Sequence, residues 1–172
     1  MKMEINFING LIVAVAILLS GCSQASDEGY TAGDLRAVNH VDGIGINGFS
    51  VNGYPVPGLG GGYCCIQLPD KWKPGLKAHI KWEVDPHTVP PFPGYKDREK
   101  FNAWKSVLGS SFQKHSTIVD IPQYGKERCG LTVHFLPCDQ VKVTTVCSGY
   151  GTPNYPIKEP LKMKGPASCP VK

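Results

Sequence analysis

The chain has 172 residues and carries 18 lysines and arginines against 14 aspartates and glutamates, a formal charge of +4 at neutral pH. That length is enough for one domain with a core of its own. The basic residues are dispersed, with no run of three. This argues against a nucleic-acid footprint and leaves the charge as that of an ordinary solvated surface.

The first segment, MKMEINFINGLIVAVAILLSGC, holds an apolar stretch from Leu11 to Leu19. At about nine residues it falls well short of the roughly 20 a membrane-spanning helix needs, and it has the length of a signal-peptide core. Leu19-Ser20-Gly21-Cys22 resembles the bacterial lipoprotein cleavage box, in which a large apolar residue and two small ones precede a cysteine. Residues 1–21 are therefore expected to be a removed signal peptide, and Cys22 to carry the lipid. Ser23 follows where an aspartate would signal retention, which resembles the outer-membrane sorting signal. The expected location is the outer membrane, lipid-anchored and facing the periplasm. Residues 22–33 would form the tether and residues 34–172 the globular domain.

Strand signals come next, over 34–41 and 44–51, interrupted by glycines. A flexible turn at 58–62 leads into the buried-looking run YCCIQL, and LPDKWKPG reads as a proline-bounded turn. The clearest strand has Leu76, Ala78, Ile80, Trp82 and Val84 alternating with Lys77, His79, Lys81 and Glu83, the pattern of a half-buried strand. Residues 85–95, DPHTVPPFPGY, must be a loop. One helix follows in KDREKFNAWKSVL: Phe101, Trp104 and Leu108 recur at helical spacing, Lys96 or Asp97 lies near its start and Gly109 is expected after its end. A strand over 112–121 precedes a hairpin, and the tail is too rich in proline for regular structure. The predicted fold is mainly β: a single β-sandwich-like domain with one short helix, stabilised by disulfides.

Beyond Cys22 the chain has six cysteines, Cys64, Cys65, Cys129, Cys138, Cys147 and Cys169. In an oxidising compartment an even set reads as a disulfide framework, with about 15 connectivities open. Adjacent Cys64 and Cys65, on a strand, would point to opposite faces and serve different partners. Folding CGLTVHFLPCDQVKVTTVC about Pro137-Cys138-Asp139 sets Cys129 opposite Cys147, Leu131 opposite Thr145, Val133 opposite Val143 and Phe135 opposite Val141. These residues share one nearly all-apolar face, as a true register requires. Thr132, His134, Lys142 and Thr144 gather on the other. The tail is expected to be pinned by Cys169. Eight-residue gaps between cysteines do not suit metal ligation, and no metal or cofactor is expected.

Catalytic patterns are weak. Gly43-Ile-Gly-Ile-Asn-Gly48 matches the letter of a dinucleotide fingerprint without the strand-to-helix setting that gives it meaning. Gly48-Phe-Ser-Val-Asn52 comes nearest to a nucleophile elbow and fails at its last position. His40, His79, His87, His115 and His134 show no i,i+4 pair, and lone histidines on polar strand faces are usually surface residues. No catalytic residue is assigned, and the chain is read as a binding protein rather than an enzyme. Tyr150, Asn154 and Tyr155, on a loop held by a disulfide, are candidate partner contacts; alternatively they pack over the end of the sandwich.

The stretches GGYCCIQLPDKWKPG, CGLTVHFLPCDQVKV and SGYGTPNYPIKEP resemble a bacterial lipoprotein domain family of formerly unknown function, from about Asp34 to Pro160. Its members are often encoded beside type VI secretion lipase effectors of the α/β-hydrolase class, and some are periplasmic immunity proteins against them. The resemblance implies a membrane-anchored periplasmic protein that binds and inhibits such a phospholipase. The alternative is a structural envelope lipoprotein supporting a secretion or envelope assembly.

Overall fold

A computed structural model describes residues 29–85 and 90–169. The signal segment and Cys22 lie outside the described residues, as does most of the expected tether. Among the described residues, eight strands form two sheets. In the first, β4 (Tyr63–Pro69), β1 (Tyr30–Asn39), β7 (Gly130–Leu136) and β8 (Gln140–Thr144) lie in that order; in the second, β3 (Tyr54–Val56), β2 (Gly45–Val51), β5 (Lys77–Asp85) and β6 (Gln113–Asp120). Neighbours are antiparallel except β1 and β7, which run parallel from Asp34 beside Gly130 to Asn39 beside Phe135. β1 begins at Tyr30 and pairs at once with β4, so the sheet takes in four residues expected to belong to the tether.

The two sheets close on one apolar core, as expected of a sandwich. Ala78, Ile80, Trp82 and Val84 point inward from β5, with Phe49 and Val51 from β2; Leu131, Val133 and Phe135 meet them from β7. Phe135 touches both Phe49 and Trp82, with ring centroids 5.7 and 5.5 Å away, so aromatic packing joins the layers at their centre. The hairpin has the expected register, Val133 opposite Val143 and Phe135 opposite Val141. It turns through a short 3-10 segment, Pro137–Asp139, where Cys138 and Asp139 both take positive φ.

The hairpin's second face is not a solvent face. Residues 145–169 fold back across it without regular structure beyond a bridge between Val41 and Met163. Tyr155 and Ile157 are buried there with His134 and Thr144. The first sheet is thus covered on both sides, by the second sheet and by the tail. The pairing of Cys129 with Cys147 is as expected, with an S–S distance of 2.13 Å. A second bond, Cys138 to Cys169, pins the tail at 2.08 Å.

Cys64 and Cys65 correct the expectation of separate partners, because they are bonded to each other. The alternation behind that expectation holds only in a regular strand. Here β1 pairs Gly33 with Ile66 and then Leu35 with Tyr63, so both cysteines sit in a bulge, where the two-residue period is broken.

We expect Cys169→Ser to free the end of the tail and to cost about 3–4 kcal/mol, the loop entropy of a closure of this span. Chemical denaturation in the absence of reductant checks this. An unchanged midpoint would mean that the non-covalent contacts of the tail suffice.

The helix α1 (Arg98–Ser111) is inserted between β5 and β6. Asp97 caps it, its carboxylate accepting from the Lys100 amide at 3.0 Å. The helix does not stop before Gly109 but runs on to Ser111. The Ser110 and Ser111 hydroxyls donate to the Val107 and Leu108 carbonyls, supplying partners that the last turn lacks. None of its residues is buried, and none joins the core.

Candidate functional site

Three places bring chemistry-bearing side chains together. The first is a buried chain of rings beneath the tail. His40, just past the end of β1, and His134 on β7 are both fully buried, which corrects the surface role expected of them. His40 Nε2 lies 2.8 Å from His134 Nδ1, and His134 Nε2 lies 2.6 Å from the Tyr155 hydroxyl. His40 Nδ1 is 3.0 Å from the Pro160 carbonyl.

The protons in this chain follow from that last contact. A carbonyl only accepts, so His40 Nδ1 carries the hydrogen and Nε2 is left as an acceptor. His134 must then donate from Nδ1 and accept at Nε2 from Tyr155. With neutral rings the result is one directed relay, from the Tyr155 hydroxyl through His134 and His40 to Pro160. Burial first, and the neighbouring His40 second, push the His134 pKa down to about 4. Burial raises that of Tyr155. Every ring nitrogen is satisfied, and the cluster fastens the tail to the sheet.

The same geometry sorts the expected partner contacts. Tyr155 is only 1% exposed and cannot meet a partner; it packs over the sheet, as the alternative reading held. Tyr150 is half-buried against His40 and Tyr155, its hydroxyl donating to the Glu159 carbonyl. Glu159 is in turn paired with Lys142, which holds its carboxyl below the usual range. Asn154 alone remains exposed. His79 is exposed, His115 stacks on Trp82 and faces Asp139 at 3.2 Å, and His87 lies outside the described residues.

The second place is a cleft of about 700 Å³ on the outer face of the second sheet. Its floor is formed by Gly48, Ser50 and Ser116 and its rim by Lys81, Glu83 and Lys114. Glu83 accepts from Asn47 at 3.1 Å and meets Lys114 at 3.8 Å, so much of the rim charge is already matched.

The third place is an aromatic cluster that sequence analysis did not foresee. Phe101 and Trp104 recur at helical spacing but do not join the core. Instead they meet the loop before the helix: Phe92 lies 5.1 Å from Trp104, and Tyr95 lies 5.5 Å from Phe101, centroid to centroid. Phe92 and Tyr95 themselves stand edge to face at 4.9 Å. The Trp104 indole donates to the Pro90 carbonyl at 2.8 Å, closing loop onto helix. The rings order one another yet remain in solvent, with Tyr95 80% and Phe92 46% exposed. Lys96, Arg98, Lys100 and Lys105 lie on the same loop and helix, with Asp97 and Glu99, all six exposed. One signal was legible: PPFPGY places two aromatics on a proline-stiffened loop just ahead of the helix.

The cluster stands at a definite end of the sandwich. β5 leaves for the helix at Asp85 beside Gly45, and β6 returns at Gln113 beside Val84. Tyr30, the first residue of β1, lies at the other end, next to Pro69.

No curated protein and no solved structure matches the chain. A family model described as a protein of unknown function, DUF3304, matches residues 38–143, a stretch that includes the bonded cysteine pair of β4, the aromatic cluster and most of the hairpin. With more than half of its length matched, the chain belongs to the DUF3304 family.

Proposed function

We propose that this protein is a membrane-anchored periplasmic immunity protein that binds and inhibits a type VI secretion phospholipase effector, the lipid being carried by Cys22. The observation behind this reading is the exposed cluster of Phe92, Tyr95, Phe101 and Trp104, with the basic residues on the same loop and helix. Aromatic groups that are already ordered lose little entropy on docking and serve as anchors at protein interfaces. A lipase that takes lipid from a membrane needs an apolar entrance to its catalytic cleft, and an aromatic knob on a segment with more exposed basic than acidic residues complements such an entrance when its rim is acidic. The disulfide-bonded sandwich supplies a rigid mount. A lipid tether adds to this by holding the inhibitor at the surface where the enzyme acts, raising effective concentration without new contacts. The family resemblance set out above supplies the class of effector.

The test is a titration of the full chain into an α/β-hydrolase phospholipase effector from the same gene neighbourhood, following phospholipid hydrolysis. Stoichiometric loss of activity is expected. The double variant Phe92→Ala, Tyr95→Ala should weaken inhibition at least ~10-fold, since truncation of an anchor costs upwards of about 2 kcal/mol. Unchanged hydrolysis and no complex would favour the structural envelope lipoprotein. Full inhibition by the double variant would place the contact elsewhere on the domain.

A further inference from the structure

Each sheet ends in two edge strands, and exposed edges invite unwanted pairing unless they are short, interrupted or covered. β3 has three residues with Pro55 at its centre. β4 carries the bonded cysteine pair in its bulge and ends at Pro69. β8 has five residues, and Pro156 and Ile157 of the tail lie beside it. β6 is different. It runs for eight residues, Gln113 to Asp120, without a proline, and among the described residues its backbone ladder is formed with β5 alone. Ile118 points outward from it, 62% exposed. Beside it, between β6 and β8, lies a cleft of about 570 Å³ walled by Val119, Val141, Val143 and Ile157.

The residues of β6 complement themselves. An antiparallel pair of β6 strands centred on Thr117 sets Lys114 of each copy opposite Asp120 of the other. Within one copy, Asp120 already meets Lys77 on β5 at 2.6 Å, and Lys114 meets Glu83 at 3.8 Å. Across the joined sheets the row therefore reads Lys77, Asp120, then Lys114 and Glu83 of the second copy, with the charge alternating in sign at each step. The two-fold axis generates the same row again. Opposed charges of this kind stabilise cross-strand neighbours. In the same register Ile118 faces Ser116 of the other copy and lies diagonal to that copy's Ile118, so the exposed side chains cover each other. His115, Thr117 and Val119 of the added strand fall on the inner side, against the open cleft.

We propose that β6 is a self-association edge, through which two copies of this chain join their second sheets into one continuous sheet about a two-fold axis. The contact is isologous, so it closes at two copies and does not propagate. It does not use the aromatic cluster, although Ile157 of the tail walls the adjoining cleft, and it stands or falls independently of the phospholipase reading.

Disulfide trapping in the full chain tests the register. Residues directly opposed across antiparallel strands lie about 4.5–5.5 Å apart at Cα, within disulfide reach. Thr117→Cys is therefore expected to migrate at twice the chain mass without reductant and at the single mass with it. Asp120→Cys is expected to stay at the single mass, because it stands opposite Lys114, roughly 20 Å from its own counterpart. A second measurement leaves the native cysteines untouched. Sedimentation should show a dimer for the parent chain, a severalfold loss of dimer for Lys114→Glu or Asp120→Lys alone, and partial recovery when the two are combined, since each then faces a like charge on β5 of its own copy. A monomeric parent chain, or trapping of Asp120→Cys as efficient as that of Thr117→Cys, would overturn the proposal.

Discussion

Replacing Gly130 by alanine is expected to cost more than about 4 kcal/mol, a range reached only when something specific in the structure is broken. Gly130 sits at φ +90, and a side chain there would run into the backbone of Asp34, its partner at the first step of the β1–β7 ladder. Gly33 faces Gly130 from the other strand and is equally hemmed in by backbone. The two glycines permit β1, already paired with β4, to close against β7. A methyl group at Gly130 pushes the strands apart where the parallel ladder begins, and with them the two halves of the first sheet. Gly151 serves as the comparison. Its φ is +89, but nothing lies within 4 Å of the position a side chain would take. Gly151→Ala should then cost only about 1 kcal/mol of backbone strain. Urea midpoints of the two variants measure the difference. Equal losses would mean that backbone conformation, and not the close approach of the strands, sets the cost.

Acid should loosen the domain in a defined window. His134 titrates near 6.5 in an unfolded chain and near 4 in the native one, because burial and His40 disfavour its cation. Below pH 6.5 the unfolded state takes up a proton that the native state refuses, so stability falls with falling pH until about pH 4. Two and a half units of separation correspond to roughly 3 kcal/mol. Above pH 7 this group contributes no slope. The other groups around the site are Tyr150 and Tyr155 in the tail and the Lys142–Glu159 pair. Glu159, held down by Lys142, adds a loss of the same sign only once carboxylates begin to protonate. Denaturation of the parent chain at pH 7.5 and pH 4.5 should therefore give clearly different midpoints. His134→Leu should lose much of that difference. It should also be weaker at pH 7.5 by about 1–3 kcal/mol, since His40 Nε2 and the Tyr155 hydroxyl lose their partner. A parent chain equally stable at both pH values would contradict the neutral relay.

The structural role of the relay also separates what is local in this protein from what is not. Strand β5 was legible because the alternation from Leu76 to Val84 is set by the two-residue period of the strand itself. The hairpin register was legible because its residues close over a short turn, and a slip by one would carry every apolar side chain to the wrong face. The Asp97 cap announced the start of the helix for the same reason: the carboxylate and the amide it accepts from are three residues apart. Sandwich class, helix position and the Cys129–Cys147 bond followed from such short-range rules, and the pinned tail from the even number of cysteines.

Other features depend on residues that meet only after the chain has folded. His40 and His134 are 94 residues apart. Nothing within LTVHFL says what will cover its histidine, although a histidine amid apolar neighbours is itself a sign of burial. Tyr155 was left between partner contact and packing over the sheet because a proline-rich tail carries no period from which to read a buried face. The adjacent cysteines were misassigned because the bulge that joins them arises in the pairing of β4 with β1, outside their own strand. Phe101 and Trp104 kept their helical spacing but found Phe92 and Tyr95 instead of the core, since an insertion between two strands is free to pack on itself. By itself, then, the amino-acid sequence determined most of the strands, though not β3, together with the helix and the apolar faces, because those follow from periods and caps within a few residues. Tertiary structure alone decided which polar groups were buried, which aromatics stayed in solvent and which strand edge was left open, because each depends on what distant segments of the chain come to cover.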